Sequence, residues 1–323
     1  MQIVLDTRGL NLSVKNRCFF IEAENESRMI HPDKITSILV TAPCRISSPS
    51  LELATLHQIP FIICDHCGLP VVRTYSAQFI NITTLRRNHY KFTFAPEAAT
   101  WAMAMIHKKI EGQIATMAWL TDRKPSLQGI FDKARQEISL QINKINQAFS
   151  QTNPDWKKQV LFLESYAASR YWQIIGIKLP VPFTFSHRVK FNPADLFNPS
   201  INYLYGMLRN QMDTVISSTG LDPGLGIVHC DQYKTPTLVF DLMEPFRPVI
   251  DKMLVTAILE SRAKVLSTGV REEGLLSKTQ RKWLIEFFIS GLDDRISYTG
   301  SVTSLKNHMF REVQQLAALI KSL

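Results

Sequence analysis

Apolar and polar positions divide the chain into two regimes. Over the first ninety or so residues the apolar positions come in short runs rich in Val, Ile and Phe, at 3–5, 10–14, 18–21, 35–40 and 61–64. Leu10, Leu12 and Val14 alternate with Asn11 and Ser13, the period-two pattern of a half-buried strand. One helix is predicted among these strands. Ser48 can cap it, Pro49 suits its first turn, and Leu51, Leu53, Leu56 and His57 follow before Ile59-Pro60 ends it.

The pattern changes near Phe94-Ala95-Pro96-Glu97. Beyond it the apolar residues recur at helical spacing, as in Leu127, Ile130, Ala134, Ile138, Ile142 and Ile145. Helices are predicted over 97–120, 126–149, 155–175, 199–218, 237–266, 278–290 and 304–321, with Gly220 as a C-terminal cap. Residues 178–199 hold Pro180, Pro182, Pro193 and Pro199 without periodicity, as in a long functional or mobile loop. The expected fold is α+β: a small β-rich domain with one helix over 1–92, then a larger all-α domain over 93–323.

Composition narrows the class. The 323 residues are 45% hydrophobic, enough for a globular core, and carry a formal net charge of +9. That excess favours a polyanionic partner, weakly, because it is spread along the chain. Met1-Gln2-Ile3-Val4-Leu5-Asp6 lacks the basic and apolar regions of a signal peptide, and no apolar run is long enough to span a bilayer. Cys18, Cys44, Cys64, Cys67 and Cys230 are odd in number and form no disulfide framework, which reads as a reduced, cytoplasmic chain. Cys64-Asp65-His66-Cys67 is half a zinc site without a second half, and reads as the turn after a buried strand.

Candidate chemistry lies in the second regime. Glu164 has only apolar helical neighbours: Val160, Leu161, Ala167 and Ala168. Its carboxylate therefore needs a partner from another element, and periodicity alone favours solvent or a distant Arg over a metal. His229 ends the run Leu225-Gly226-Ile227-Val228 and, taken alone, reads as a core histidine. Asp241 and Glu244 share a helix face, and Pro245 should break the ladder beside them. The bland account of Glu244 is a surface pair with Arg247, worth ~0.2–0.5 kcal/mol. As a set, Glu164, His229 and Glu244 are mostly oxygen donors, suited to Mg²⁺ or Mn²⁺. A hard divalent cation in a basic protein points to phosphodiester chemistry. Basic residues cluster at Arg86-Arg87, His107-Lys108-Lys109, Arg170, Lys278, Arg281-Lys282 and Arg311, with Tyr90, Tyr171 and Trp172 near some of them. Each cluster is most simply a solvated face; beside a metal site they can track a phosphate backbone.

Four blocks resemble a known family: Glu164-Ser165-Tyr166-Ala167-Ala168-Ser169-Arg170-Tyr171, Asn198 to Gly206, Gly220-Leu221-Asp222-Pro223 running to His229, and Leu238 to Pro248 with its Glu244-Pro245-Phe246-Arg247-Pro248 ending. The chain resembles the CRISPR-associated adaptation endonucleases, the integrase subunits that insert spacer DNA into a CRISPR array. The resemblance implies metal ligands at Glu164, His229 and Glu244, with Asp241 an alternative or supporting carboxylate. It implies Mg²⁺ or Mn²⁺, double-stranded DNA as substrate, a homodimer formed through the β domain, and a small ferredoxin-like adaptation protein as partner. Ser165 stands where many members have Gly. DNA contacts are expected from Arg86, Arg87, Arg170, Arg247, Lys278, Arg281 and Lys282.

The expected reaction is transesterification, in which a 3′-hydroxyl of the incoming DNA attacks a phosphodiester at a repeat boundary. His229 would bind metal as neutral imidazole, so activity should fall as it protonates. The alternatives are a metal-dependent hydrolytic nuclease on DNA or RNA, and a non-catalytic DNA-binding scaffold.

Overall fold

A computed structural model describes the chain except residues 25, 66–69, 75–82, 150–152, 154, 191–192, 230–234 and 269–275, with the side chains of 70, 148, 177 and 178 also left aside. Cys67, His66 and Cys230 lie outside the described residues. Two units form, residues 1–83 and 84–323.

The first unit contains two four-stranded sheets. In one, β1 (Gln2–Leu5), β5 (Ser37–Val40) and β7 (Phe61–Cys64) run parallel, and β8 (Pro70–Arg73) is antiparallel to β7. In the other, the order is β4 (Ser27–Ile30), β3 (Cys18–Glu22), β2 (Asn11–Lys15), β6 (Arg45–Ile46). Asn16 and Arg17 both take positive φ, giving β2 and β3 the two-residue turn whose twist suits a hairpin. Helix α1 (Ser48–Leu56) packs on β2 and β7. Its cap is Ser47, one residue before the expected Ser48, and Pro49 sits in its first turn. Leu12, Phe19, Ile38, Ala54 and Phe61 are fully buried in the core of this unit. All four residues of β5 are buried, as expected of a central strand covered on both faces.

The second unit is helical: α2 (Thr83–Phe92), α3 (Pro96–Arg123), α4 (Gln128–Ala148), α5 (Trp156–Lys178), α6 (Phe197–Thr219), α7 (Thr237–Met243), α8 (Arg247–Leu259), α9 (Lys264–Thr268), α10 (Lys278–Asp293) and, after β9 (Arg295–Tyr298) and β10 (Ser301–Ser304), α11 (Leu305–Lys321). Three features differ from the expectations. Nearly all of α2 falls in the second unit, so the division comes before this helix, at Thr83, rather than after residue 92. Leu85, His89 and Phe92 are its buried face, and Asn88 donates to the Ile320 carbonyl. The second unit is not wholly α, because β9 and β10 form a hairpin turned by Thr299 and Gly300, both at positive φ. The predicted helix over 237–266 is three α-helices, with a 3₁₀ turn at Glu244–Phe246 where Pro245 breaks the α ladder. Gly220 does close α6, at φ 83°. Among the described residues no helix is long and apolar enough to cross a membrane.

Helix α3 is the axis of this unit, packing against α4, α5, α8 and the 3₁₀ turn. Its buried stripe runs through Ala102, Ile106, Ile110, Gln113, Met117 and Leu120. One polar member of that stripe, Lys109, leads to the site.

Phe61 is fully buried on a strand paired on both sides. Phe61→Ala should cost the chain about 3–5 kcal/mol, read as an earlier midpoint in a denaturant melt followed by circular dichroism.

Candidate active site

Three elements bring charge to one place. Helix α3 supplies Lys109, α5 supplies Glu164, and the 3₁₀ turn supplies Glu244. The Lys109 ammonium donates to Glu164 Oε1 and, at 2.5 Å, to Glu244 Oε2. Arg247 Nη2 meets the other Glu244 oxygen at 2.9 Å. Glu244 is 5% exposed, so this is not the solvated surface pair that spacing alone allows. Burial works to raise the Glu244 carboxyl, but Arg247 first, then Lys109, outweigh it and hold it at about 2. Glu164 gains the partner its own helix could not offer.

His229 is held from the other side. Asp241, at the buried face of α7, accepts from the backbone N–H groups of Ile227 at 2.6 Å, Val228 at 2.9 Å and His229 at 3.1 Å. Its Oδ1 also lies 2.5 Å from His229 Nδ1. Four interactions saturate this carboxylate. Its post is therefore to fix the loop and the imidazole tautomer, leaving Nε2 as the nitrogen available for ligation. Burial lowers the His229 pKa, but the hydrogen bond and charge of Asp241, aided by Glu244, raise it overall above 6.5. The loop approaches α7 closely at Gly226, where a Cβ would lie 2.6 Å from the Thr237 Cβ. Thr237 Oγ1 accepts from Gly226 N and donates to the Gly224 carbonyl, which secures the same turn.

A second buried array lies behind Arg247. The guanidinium sits 4.7 Å from the ring centroid of Tyr205. Tyr205 and Tyr171 donate their hydroxyls to Asp251, at 2.6 and 3.1 Å. Arg188 stacks on Tyr205 and Trp172, and reaches Asn198 and Asn202 on α6. Asn198 also accepts from Val189 N and donates to the His187 carbonyl. The described part of the proline-rich segment is thus tied to α6 through Arg188 and Asn198.

The structure therefore joins Glu164 and Glu244 through one cation and couples His229 electrostatically to Glu244. Among the described residues, no three His, Cys, Asp or Glu side chains form a ready-made metal cluster. The donor chemistry still fits a hard cation, since an ammonium already occupies a point shared by two carboxylate oxygens. Arg170 pairs with Glu137 at 2.8 Å, and Arg247 with Glu244. Arg86, Arg87, Lys278 and Lys282 are exposed and Arg281 is half-buried. Lys109, grouped in the sequence with a solvated basic cluster, is instead buried; its spacing of three from Ile106 and four from Gln113 was the available signal. Lys108 next to it turns the other way and pairs with Glu312 at 2.8 Å. Tyr171 is fully buried rather than part of a basic surface.

The family profile described as CRISPR associated protein Cas1 matches residues 3–289. The chain belongs to the Cas1 family. The CRISPR-associated endonuclease Cas1 1 of Archaeoglobus fulgidus is 23% identical over 334 residues, covering 99% of this chain and 96% of its own. The CRISPR-associated endonuclease Cas1 2 of Saccharolobus solfataricus is 27% identical over 298 residues, covering 88% and 85%. A casposase bound to its integration product superposes with a TM-score of 0.82 at 22% identity, over 99% of this chain and 90% of that one. A Cas1 protein of Thermotoga maritima gives 0.78 at 18% identity, over 99% and 96%. These structural likenesses speak for the Cas1 fold: N-terminal sheets followed by a mainly helical region.

Asp251 generates a pH prediction. Burial raises its carboxyl from 3.8 to about 6 against the opposing Tyr205 hydrogen bond and Arg188 charge. Between those values the folded chain holds a proton that the unfolded chain releases. Stability from this group is therefore greatest below pH ~4 and declines as pH rises through ~6, by ~3 kcal/mol. Asp251→Asn removes the titration. In denaturant melts, the stability of the wild type relative to Asp251→Asn should fall by that order from pH 4 to 7.

Proposed function

We propose that this Cas1-family chain is a divalent-metal-dependent DNA endonuclease and integrase of CRISPR adaptation, joining the 3′-hydroxyl ends of spacer DNA to a repeat by transesterification. The observation that carries this reading is the convergence of Glu164 and Glu244 on one cation, with His229 held by Asp241 three residues before Glu244. The relatives support the substrate class: they include CRISPR-associated endonucleases and a casposase bound to its integration product.

Glu164 and Glu244 would hold Mg²⁺ or Mn²⁺ through oxygen, and His229 through Nε2. A bound metal of this kind supplies polarisation of the scissile phosphate and stabilisation of the leaving oxygen. The chain's own residues do the rest. Arg247 keeps Glu244 ionised, and Asp241 keeps His229 in one tautomer and one orientation. One phosphodiester is exchanged for another, so the bond count requires no nucleotide energy source. Of the basic residues expected to touch DNA, Arg170 and Arg247 have carboxylate partners, while Arg86, Arg87, Lys278, Arg281 and Lys282 would hold DNA by its phosphates. A complex with a small ferredoxin-like adaptation protein, and a homodimer through the β-rich unit, complete the proposal. A Cas6-RT-Cas1–Cas2 complex is among the structural neighbours, matched over 100% of this chain and 35% of that one.

A strand-transfer assay with labelled DNA ends and a supercoiled array plasmid tests this directly. Joined products are expected with Mg²⁺ or Mn²⁺ and not with EDTA. Nicks alone would favour a hydrolytic nuclease, and gel shifts without chemistry would favour a scaffold. Glu164→Ala, His229→Ala and Glu244→Ala should each lose joining by orders of magnitude while DNA affinity changes little. Replacing Arg86 and Arg87 should do the reverse, lowering affinity and reducing the slope of log K against log salt by ~0.9 per lost duplex phosphate contact. Folded Glu164→Ala and Glu244→Ala proteins that join at the wild-type rate would refute the site.

A further inference from the structure

The charges of the carboxylate site cancel without a metal. Glu164 and Glu244 are matched by Lys109 and Arg247, and all four are joined by direct ion pairs. The two cations are not equivalent. Arg247 belongs to the same local turn as Glu244 and takes its Oε1. Lys109 comes from α3 and takes Glu164 Oε1 and Glu244 Oε2, one oxygen from each carboxylate. It is itself buried, at 5% exposure. Two carboxylates that share a site, one of them buried, repel unless a cation lies between them. An ammonium and a divalent metal meet that need through the same oxygen lone pairs. They cannot both hold this position.

We propose that Lys109 is the resident counter-cation of the unloaded site, and that a divalent metal binds by displacing its ammonium from Glu164 and Glu244. The inference rests on the metal-dependent reading given above. It explains why two carboxylates meet on one ammonium without forming a ready-made metal cluster among the described residues. Lysine suits this role, as a point charge on a flexible four-carbon stem that can leave without unwinding its helix. The loaded site then carries an excess of positive charge, which a phosphodiester offsets. Metal and DNA should therefore favour each other's binding by thermodynamic linkage.

The test is Mn²⁺ binding to the full chain without DNA, followed by electron paramagnetic resonance of the free ion. Wild type, Lys109→Met, Lys109→Gln and Glu164→Gln are compared. Both Lys109 variants should bind Mn²⁺ at least ~10-fold more tightly than wild type, as expected when a competing cation is removed. Glu164→Gln should bind more weakly than wild type. In EDTA the Lys109 variants should melt below wild type, and saturating Mn²⁺ should raise their Tm more than it raises the wild-type Tm. A folded Lys109 variant that binds no more tightly than wild type overturns the proposal while leaving the metal reading intact. If neither wild type nor the Lys109 variants bind Mn²⁺, the metal reading fails and this inference with it. Should the variants not fold, the wild type decides alone. Amine labelling read lysine by lysine in a mass spectrometer should show Lys109 protected in EDTA and several-fold more reactive with saturating Mn²⁺; unchanged protection overturns the proposal.

Discussion

Glu244 sits almost wholly out of water, so its ionisation depends on positive charge brought by other parts of the chain. That dependence ties together elements far apart in sequence. Arg247 answers it from the next turn, and Lys109 from a helix more than a hundred residues earlier. Because Lys109 also reaches Glu164, α3, α5 and the turn between α7 and α8 become fixed to one another at a single point. Packing of α3 against these elements supplies the apolar surface around it. The carboxylate half of the site is thus the meeting point of three elements, α3, α5 and the 3₁₀ turn.

Asp241 plays the corresponding part for His229. In the loop 224–229 the N–H groups of Ile227, Val228 and His229 turn to a side chain rather than to backbone, and buried donors without acceptors are costly. One carboxylate accepts three of them and the imidazole as well. The charge that stabilises the turn is the charge that raises the histidine's affinity for protons. Loop structure and site chemistry therefore cannot be varied separately here.

Much of this architecture is legible in the amino-acid sequence. Alternation locates β2, short apolar runs locate β1, β3, β5 and β7, and helical spacing locates most of the long helices within a few residues. The strands that escape such patterns are short or polar: β4 leaves Ser27, Arg28 and Met29 exposed, so its pattern carries no burial signal. Helix α2 escapes because Thr, Arg, Asn and Lys dominate it and only Leu85, His89 and Phe92 face inward. At the site, the apolar surroundings of Glu164 correctly demand a partner from elsewhere. Sequence cannot name that partner. Lys108 and Lys109 are alike in composition, and only the helix's rotation about its axis sends one toward Glu312 and the other between two carboxylates. The Tyr171, Tyr205 and Asp251 array is similarly hidden, since it draws one residue from each of α5, α6 and α8.

The turn at Pro245 does more than end a helix. An α-helix advances about 100° per residue and a 3₁₀-helix about 120°. Three residues in the tighter form, Glu244–Phe246, therefore advance the phase of everything after them by about 60° relative to an unbroken helix. Asp241, before the offset, faces the histidine loop. Arg247 and Asp251, after it, face Glu244 with Tyr205 and the paired tyrosine hydroxyls. A single proline thus acts as an angular gear, letting one stretch of chain address two different partners in register.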